Sequence, residues 1–118
     1  MISQALNHGA QKPLGGSKIL ILGVAYKADI DDVRESPAEK IVELLRTAGA
    51  DVAYHDPHVP EFDGLRSVPL EPEAYDCVVI VTAHSSIDYA DVVTRGKVIV
   101  DFRNATKGTE VDGKVWKL

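Results

Sequence analysis

Ile19-Leu20-Ile21-Leu22 is apolar at every position and runs directly into Gly23. A run of that length with no polar alternation reads as a strand covered on both faces. Cys77–Thr82 (CVVIVT) has the same character, and Lys97–Phe102 (KVIVDF) reads as a further strand. Asp51–His55 is another, stopped at Asp56-Pro57 because proline cannot continue a ladder. Helical or helix-length segments separate these strands. Ser36 is placed to cap a helix with Pro37 at its first position and Glu39 completing a capping box. Ile41, Val42, Leu44 and Leu45 would form its apolar stripe, and Gly49 stands where a left-handed C-cap belongs. Asp88–Thr94 reads as a shorter helix and Pro72–Tyr75 as one helical turn. Val59–Glu71 reads as a proline-rich connection of low regularity. Gly108 and Gly113 mark turns before an edge strand over Lys114–Leu118. Strands alternating with helices predict a single α/β domain: a Rossmann-like open parallel sheet with right-handed crossovers and helices on both faces.

Composition narrows the function classes. At 118 residues the chain suits one domain with a real core. Its 18 acidic residues outnumber 13 Lys and Arg, for a net charge of −5, which argues against a nucleic-acid surface. The longest apolar runs are of strand length, too short for a membrane span, and the amino end lacks the pattern of a signal peptide. Cys77 is the one cysteine, which excludes an internal disulfide framework and suits a reducing cytoplasm. Met1–Lys12 is mildly amphipathic, and Pro13-Leu14-Gly15-Gly16-Ser17 interrupts it. Residues 1–16 are therefore read as a helix and linker left from a preceding domain, with a frayed amino end as the other reading. Residues 17–118 form the domain itself.

Open parallel sheets bind ligands beyond the carboxyl ends of their strands. Tyr26 and Lys27 follow the first strand, Asp56 the second and His84 the third, while Arg103 ends the fourth, so all five are expected on one rim. Cations gathered there on an acidic domain suggest an anion site. Each residue has a plainer reading beside that one. Gly23-Val24-Ala25-Tyr26-Lys27 lacks the later glycines of a dinucleotide fingerprint, so Lys27 is either a phosphate contact or a solvated lysine. Arg34, set among Asp31, Asp32 and Glu35, either orders its loop by local ion pairing or reaches a phosphate or ribose. Arg103 either pairs with Asp101 or meets a ligand. Asp29, Asp31 and Asp32 lack the spacing of a calcium loop, and His55, His58 and His84 show no zinc-ligand spacing with Cys77. Cys77 opens a buried strand and reads as core, and no nucleophile and base announce themselves. Hence no catalytic residue and no metal ligand is assigned.

The stretch Gly23–Pro37 (GVAYKADIDDVRESP) resembles the signature of the C-terminal UDP-binding domain of the UDP-glucose/GDP-mannose dehydrogenase family. The resemblance continues through Tyr54-His55-Asp56-Pro57, Val79–Ser85 and Val100–Asn104. His84–Tyr89 is closer to the branch that oxidises UDP-N-acetylhexosamines, although Ala83 stands where that branch often has Asp. The resemblance implies a domain of an NAD-dependent enzyme that oxidises the C6 alcohol of a UDP-sugar to a carboxylate in two steps. It implies that Tyr26, Lys27 and Arg103 contact the nucleotide-sugar. It also implies that Arg34 reaches NAD held mainly by an N-terminal Rossmann domain. That domain, and a central domain with the catalytic cysteine, have no counterpart here. The chain is thus expected to be inactive alone and to act with those domains, in a homo-oligomer, on UDP-sugar and NAD. The alternative is a stand-alone nucleotide-binding or oligomerisation module without catalysis.

Overall fold

The computed structural model describes residues 2–5, 13–108 and 114–117. Helix α1 (Ile2–Ala5) precedes strand β1 (Lys18–Leu22), helix α2 (Pro37–Thr47) and strand β2 (Asp51–His55). Strands β3 (Glu61–Phe62) and β4 (Leu65–Arg66) and a 3-10 turn at Pro72–Ala74 lead to β5 (Cys77–Ile80). Helix α3 (Tyr89–Arg95), β6 (Ile99–Asp101) and β7 (Val115–Lys117) complete the chain. Most of the predicted Met1–Lys12 helix, Gly113 and Leu118 lie outside the described residues.

Five strands form one parallel sheet in the order β2-β1-β5-β6-β7. Side chains alternate across it. Ile19, Ile21, Val79 and Val100 join Ala38, Val42 and Leu45 of α2 in one core layer, where Ile2 and the fully buried Ala5 of α1 also pack. Leu20, Leu22, Ile80 and Ile99 join Val92 and Val93 of α3 in the other. The chain moves outward from β1 to β2, then crosses back to β5 and continues the other way. Crossovers of one hand running in opposite directions must use opposite faces, so the two helices lie on opposite sides of the sheet.

Local chemistry sets the ends of α2. Ser36 Oγ accepts from the Ala38 N–H at 3.2 Å, while its own N–H donates to the Val33 carbonyl, so the cap lacks the reciprocal bond a capping box would take from Glu39. At the other end Gly49 has φ +88°, Gly49 N–H donates to the Arg46 carbonyl and Ala50 N–H to the Leu45 carbonyl. This is a Schellman closure, and it needs a residue tolerant of positive φ. The predicted apolar stripe is narrower than expected. Ala38, Val42 and Leu45 are buried at helical spacing, whereas Leu44 is 60% exposed on the far side.

The stretch 59–71 also departs from expectation. Glu61–Arg66 is a two-residue hairpin in which Asp63 (φ 51°) and Gly64 (φ 79°) both take left-handed backbone, as a type I′ turn demands. Its inner residue Phe62 packs edge-on against Tyr54, with ring centroids 5.9 Å apart, and the buried Tyr54 hydroxyl donates to the Val59 carbonyl at 2.8 Å.

Candidate nucleotide site at the switch point

Strand order reverses between β1 and β5, the place where open sheets of this kind leave a crevice. The geometry there begins at Gly23. Its N–H donates to the His55 carbonyl at 2.9 Å, and its positive φ of 86° turns the chain tightly beneath Thr82. Thr82 Oγ donates to the Ala25 carbonyl at 2.6 Å. The exits of β1 and β5 are thereby bound together, and a cleft of about 280 Å³ opens above them, lined by Tyr26, Lys27, Ala28, Thr82, Ala83 and Arg103. Three residues predicted for the substrate, Tyr26, Lys27 and Arg103, thus share one cleft. The Lys27 ammonium lies 5.7 Å from the centre of the Tyr26 ring, within cation–π range.

Arg103 is set apart by what holds it. Of the five arginines, Arg34, Arg46, Arg66 and Arg95 each sit on a carboxylate. Arg103 Nε instead donates to the Val81 carbonyl at 2.9 Å, and among the described residues its terminal nitrogens meet no acid. Its guanidinium does not pair with Asp101. The Asp101 carboxylate closes the turn after β6, accepting from the N–H groups of Arg103, Ala105 and Thr106 and from the Thr106 hydroxyl. Burial alone would raise the Asp101 pKa, but the hydrogen bonds from Thr106, Arg103 and Ala105 outweigh it and hold the group below its ordinary value. Among the described residues, the terminal nitrogens of the guanidinium are left to face the cleft. A second cleft of about 340 Å³ lies on its other side, walled by Pro37, Ile41, Val81 and Phe102. Lys117, at the carboxyl end of β7, adds another cation beyond Arg103, with its Nζ 2.7 Å from Asn104 Oδ1.

Asp101→Asn is expected to lower stability by about 2 kcal/mol at pH 7, because an amide nitrogen would face N–H donors. The sign of its pH dependence follows from the depressed pKa. An unfolded Asp titrates near about 3.9, so the carboxylate stabilises the fold above about pH 4 and ceases to do so as pH falls through the lower folded value. Urea unfolding should therefore show the gap between Asp101→Asn and the parent narrowing from neutral pH toward about pH 3.

Arg34 lies outside both clefts. Its Nε and Nη2 grip the two oxygens of Asp32 at 3.1 and 2.9 Å, and its side chain is 87% exposed. That fork is the first cause of a pKa for Asp32 of about 2. At such exposure the pair orders the loop more than it stabilises the fold.

Asp56 and His84, expected on the rim, are instead buried beneath the cleft in a polar network. Asp56 Oδ2 accepts from the N–H groups of Val24 (2.8 Å) and Ala25 (3.2 Å) and lies 2.8 Å from His84 Nε2, while Oδ1 accepts from the His58 N–H. Asp29, His58 and His84 bring potential metal-ligand atoms within 4.8 Å of one another. Both ring nitrogens of His84 are already hydrogen-bonded, however, so the cluster is a closed network and not an open ligand set. Cys77 is fully buried, and burial drives its thiol pKa up to about 12, which suits a core residue and not a nucleophile. Among the described residues no helix is long and apolar enough to cross a membrane.

Residues 20–108 match the family model described as UDP-glucose/GDP-mannose dehydrogenase family, UDP binding domain. The UDP-N-acetyl-D-mannosamine dehydrogenase of Pyrococcus horikoshii is 36% identical over 113 residues, covering 91% of this chain and 26% of that protein. The UDP-glucose 6-dehydrogenase of Rhizobium meliloti is also 36% identical, over 81% of this chain and 25% of its own length. The solved structure of the P. horikoshii UDP-D-ManNAc dehydrogenase superposes with a TM-score of 0.80 at 32% identity, over 98% of this chain and 28% of that one. The chain spans about a quarter of the length of these relatives. By this match and this fold, the chain belongs to the UDP-glucose/GDP-mannose dehydrogenase family and corresponds to its UDP-binding domain.

Proposed function

We propose that this domain binds the diphosphate of a UDP-sugar between Lys27 and Arg103, with Tyr26 packed against the ligand, as part of an NAD-dependent nucleotide-sugar 6-dehydrogenase. The observation that carries this is the convergence, in a single cleft of an acidic domain, of Lys27 with the one arginine that meets no carboxylate among the described residues. Lysine supplies a point charge and arginine a planar fork, a combination suited to adjacent phosphate groups. The apolar cleft beyond Arg103, with Ile41, Val81 and Phe102 in its walls, offers a surface that a pyrimidine ring can cover. Relatives named for UDP-N-acetyl-D-mannosamine and for UDP-glucose support a UDP-sugar as the ligand class.

Residues of this chain do not fit a dinucleotide cradle. Gly23 is packed against Thr82, and no further glycine follows in the β1 exit to let the backbone approach a pyrophosphate. In this reading NAD is held mainly by another domain and supplies the hydride acceptor, with Arg34 reaching it from the loop. Residues 1–16 lead in from a preceding domain, residues 17–118 carry the nucleotide site, and the whole works as a cytoplasmic homo-oligomer. Calorimetry of this chain with UDP should give binding in the micromolar-to-millimolar range. A desolvated charge-assisted contact is worth about 1.5–3 kcal/mol, so Lys27→Ala and Arg103→Ala should each weaken UDP about tenfold or more. Unchanged affinity in both variants would overturn the site. No binding to the parent chain would favour a module without a nucleotide role.

A further inference from the structure

We propose that His84 is the positioning residue of this site: it fixes the backbone of the segment that carries Tyr26 and Lys27, an inference resting on the nucleotide reading above. His84 is fully buried at the exit of β5 and does not itself line the cleft assigned to ligand. Its Nδ1 accepts from the Asp29 backbone N–H at 2.7 Å. A nitrogen that accepts carries no proton, so the neutral ring is protonated at Nε2, which donates to Asp56 at 2.8 Å. The ring therefore links an anchor common to both strand exits to a single amide in the β1 loop.

That amide sits at a costly place. Asp29 has φ 65°, a conformation a non-glycine residue keeps only when its surroundings determine it. Its carboxylate accepts from Ser85 N–H at 2.7 Å and Ser85 Oγ at 2.9 Å, and these bonds are the main reason its pKa lies below the ordinary value. Upstream, Ala25 is held through its N–H on Asp56 and its carbonyl on Thr82. Tyr26 N–H donates to the Asp32 carbonyl at 2.7 Å. Lys27 and Ala28 thus span a short gap between two fixed posts, and His84 holds the downstream one. A flexible ammonium has a defined origin only while that post stands. His58 lies against the ring at a tilt of 48°, with centroids 4.5 Å apart.

Two substitutions separate the ring's two jobs. The shorter amide of His84→Asn can place an acceptor near Nδ1 and lose the bond to Asp56. The longer amide of His84→Gln can place a donor near Nε2 and lose the bond to Asp29. If His84 acts through Asp29, His84→Asn should bind UDP within about threefold of the parent, whereas His84→Gln should lose about fivefold or more. NMR amide exchange of Asp29 should quicken in His84→Gln and not in His84→Asn, whatever the two melting temperatures. Affinity losses that follow melting temperature in both variants, or a His84→Gln with parental affinity, would overturn the proposal. Should the parent chain bind no UDP, the nucleotide reading fails, and the order of Asp29 exchange rates still decides the positioning role. In the parent, imidazole nitrogen shifts must report the Nε2–H tautomer of His84; the Nδ1–H tautomer refutes the inference without any variant.

Discussion

Gly23→Ala is expected to lower the melting temperature by about 15–25 °C, corresponding to about 4 kcal/mol or more in a domain of this size. Two costs combine. At φ +86° an L side chain is strained by about 1–2 kcal/mol. The larger cost is steric, because a Cβ built there would lie 2.3 Å from the Thr82 carbonyl oxygen and 2.7 Å from its Cβ. Neither neighbour is the end of a flexible side chain, so the two strand exits would have to separate. Gly64→Ala is the control. Its φ is +79°, yet nothing lies within 4 Å of the added carbon, so it should show the strain alone, about 1–2 kcal/mol. Thermal unfolding of both variants checks the comparison. Equal shifts would show that the close approach at Thr82 contributes nothing. Any Gly23→Ala protein that does fold should also bind UDP weakly, since the same approach sets Lys27 beside Thr82 and Ala83.

The parts of this fold visible in the sequence are those decided locally. Ile19–Leu22 and Cys77–Ile80 are apolar throughout because both faces of their strands are covered, a pattern that needs no knowledge of the neighbours. Ser36-Pro37 and Gly49 mark the ends of α2 for equally local reasons. The rim positions of Tyr26, Lys27 and Arg103 follow from parallel strands, because the carboxyl end of each strand is then on the same side. Where expectation failed, the cause lay elsewhere in each case. Asp63-Gly64 is a strong hairpin signal by itself, but its arms are two residues long and sit among prolines, which obscured it. Leu44 is apolar, but its angular position on α2 puts it in water, which hydrophobicity alone does not show. Lys117 reaches the rim only because β7 runs parallel to β6, a direction that an isolated short strand does not announce. The Asp56–His84 bond joins residues 28 apart, on loops that meet only after the sheet is assembled.

Asp56→Ala is therefore expected to be among the most damaging substitutions of a residue that touches no ligand, at about 3–5 kcal/mol. The Asp56 side chain is wholly buried and accepts from four donors, the N–H groups of Val24, Ala25 and His58 and the ring of His84. Val24 and Ala25 are themselves fully buried, so truncation strands two amides and an imidazole N–H away from water. An orphaned buried donor costs about 1–3 kcal/mol, more than the bond contributed when made. Asp56→Asn distinguishes this from a loss of volume. Its amide oxygen can still accept from Val24, Ala25 and His84, while its NH₂ confronts the His58 N–H, so the loss should fall to about 1–2 kcal/mol. Urea unfolding of the two variants should thus separate them by at least about 1 kcal/mol. If Asn and Ala proved equally damaging, the carboxylate's charge would outweigh its role as acceptor for the β1 exit. If both were mild, the loop bearing Lys27 would be held by something other than Asp56, and the cleft would lose its floor as an explanation for where the cations stand.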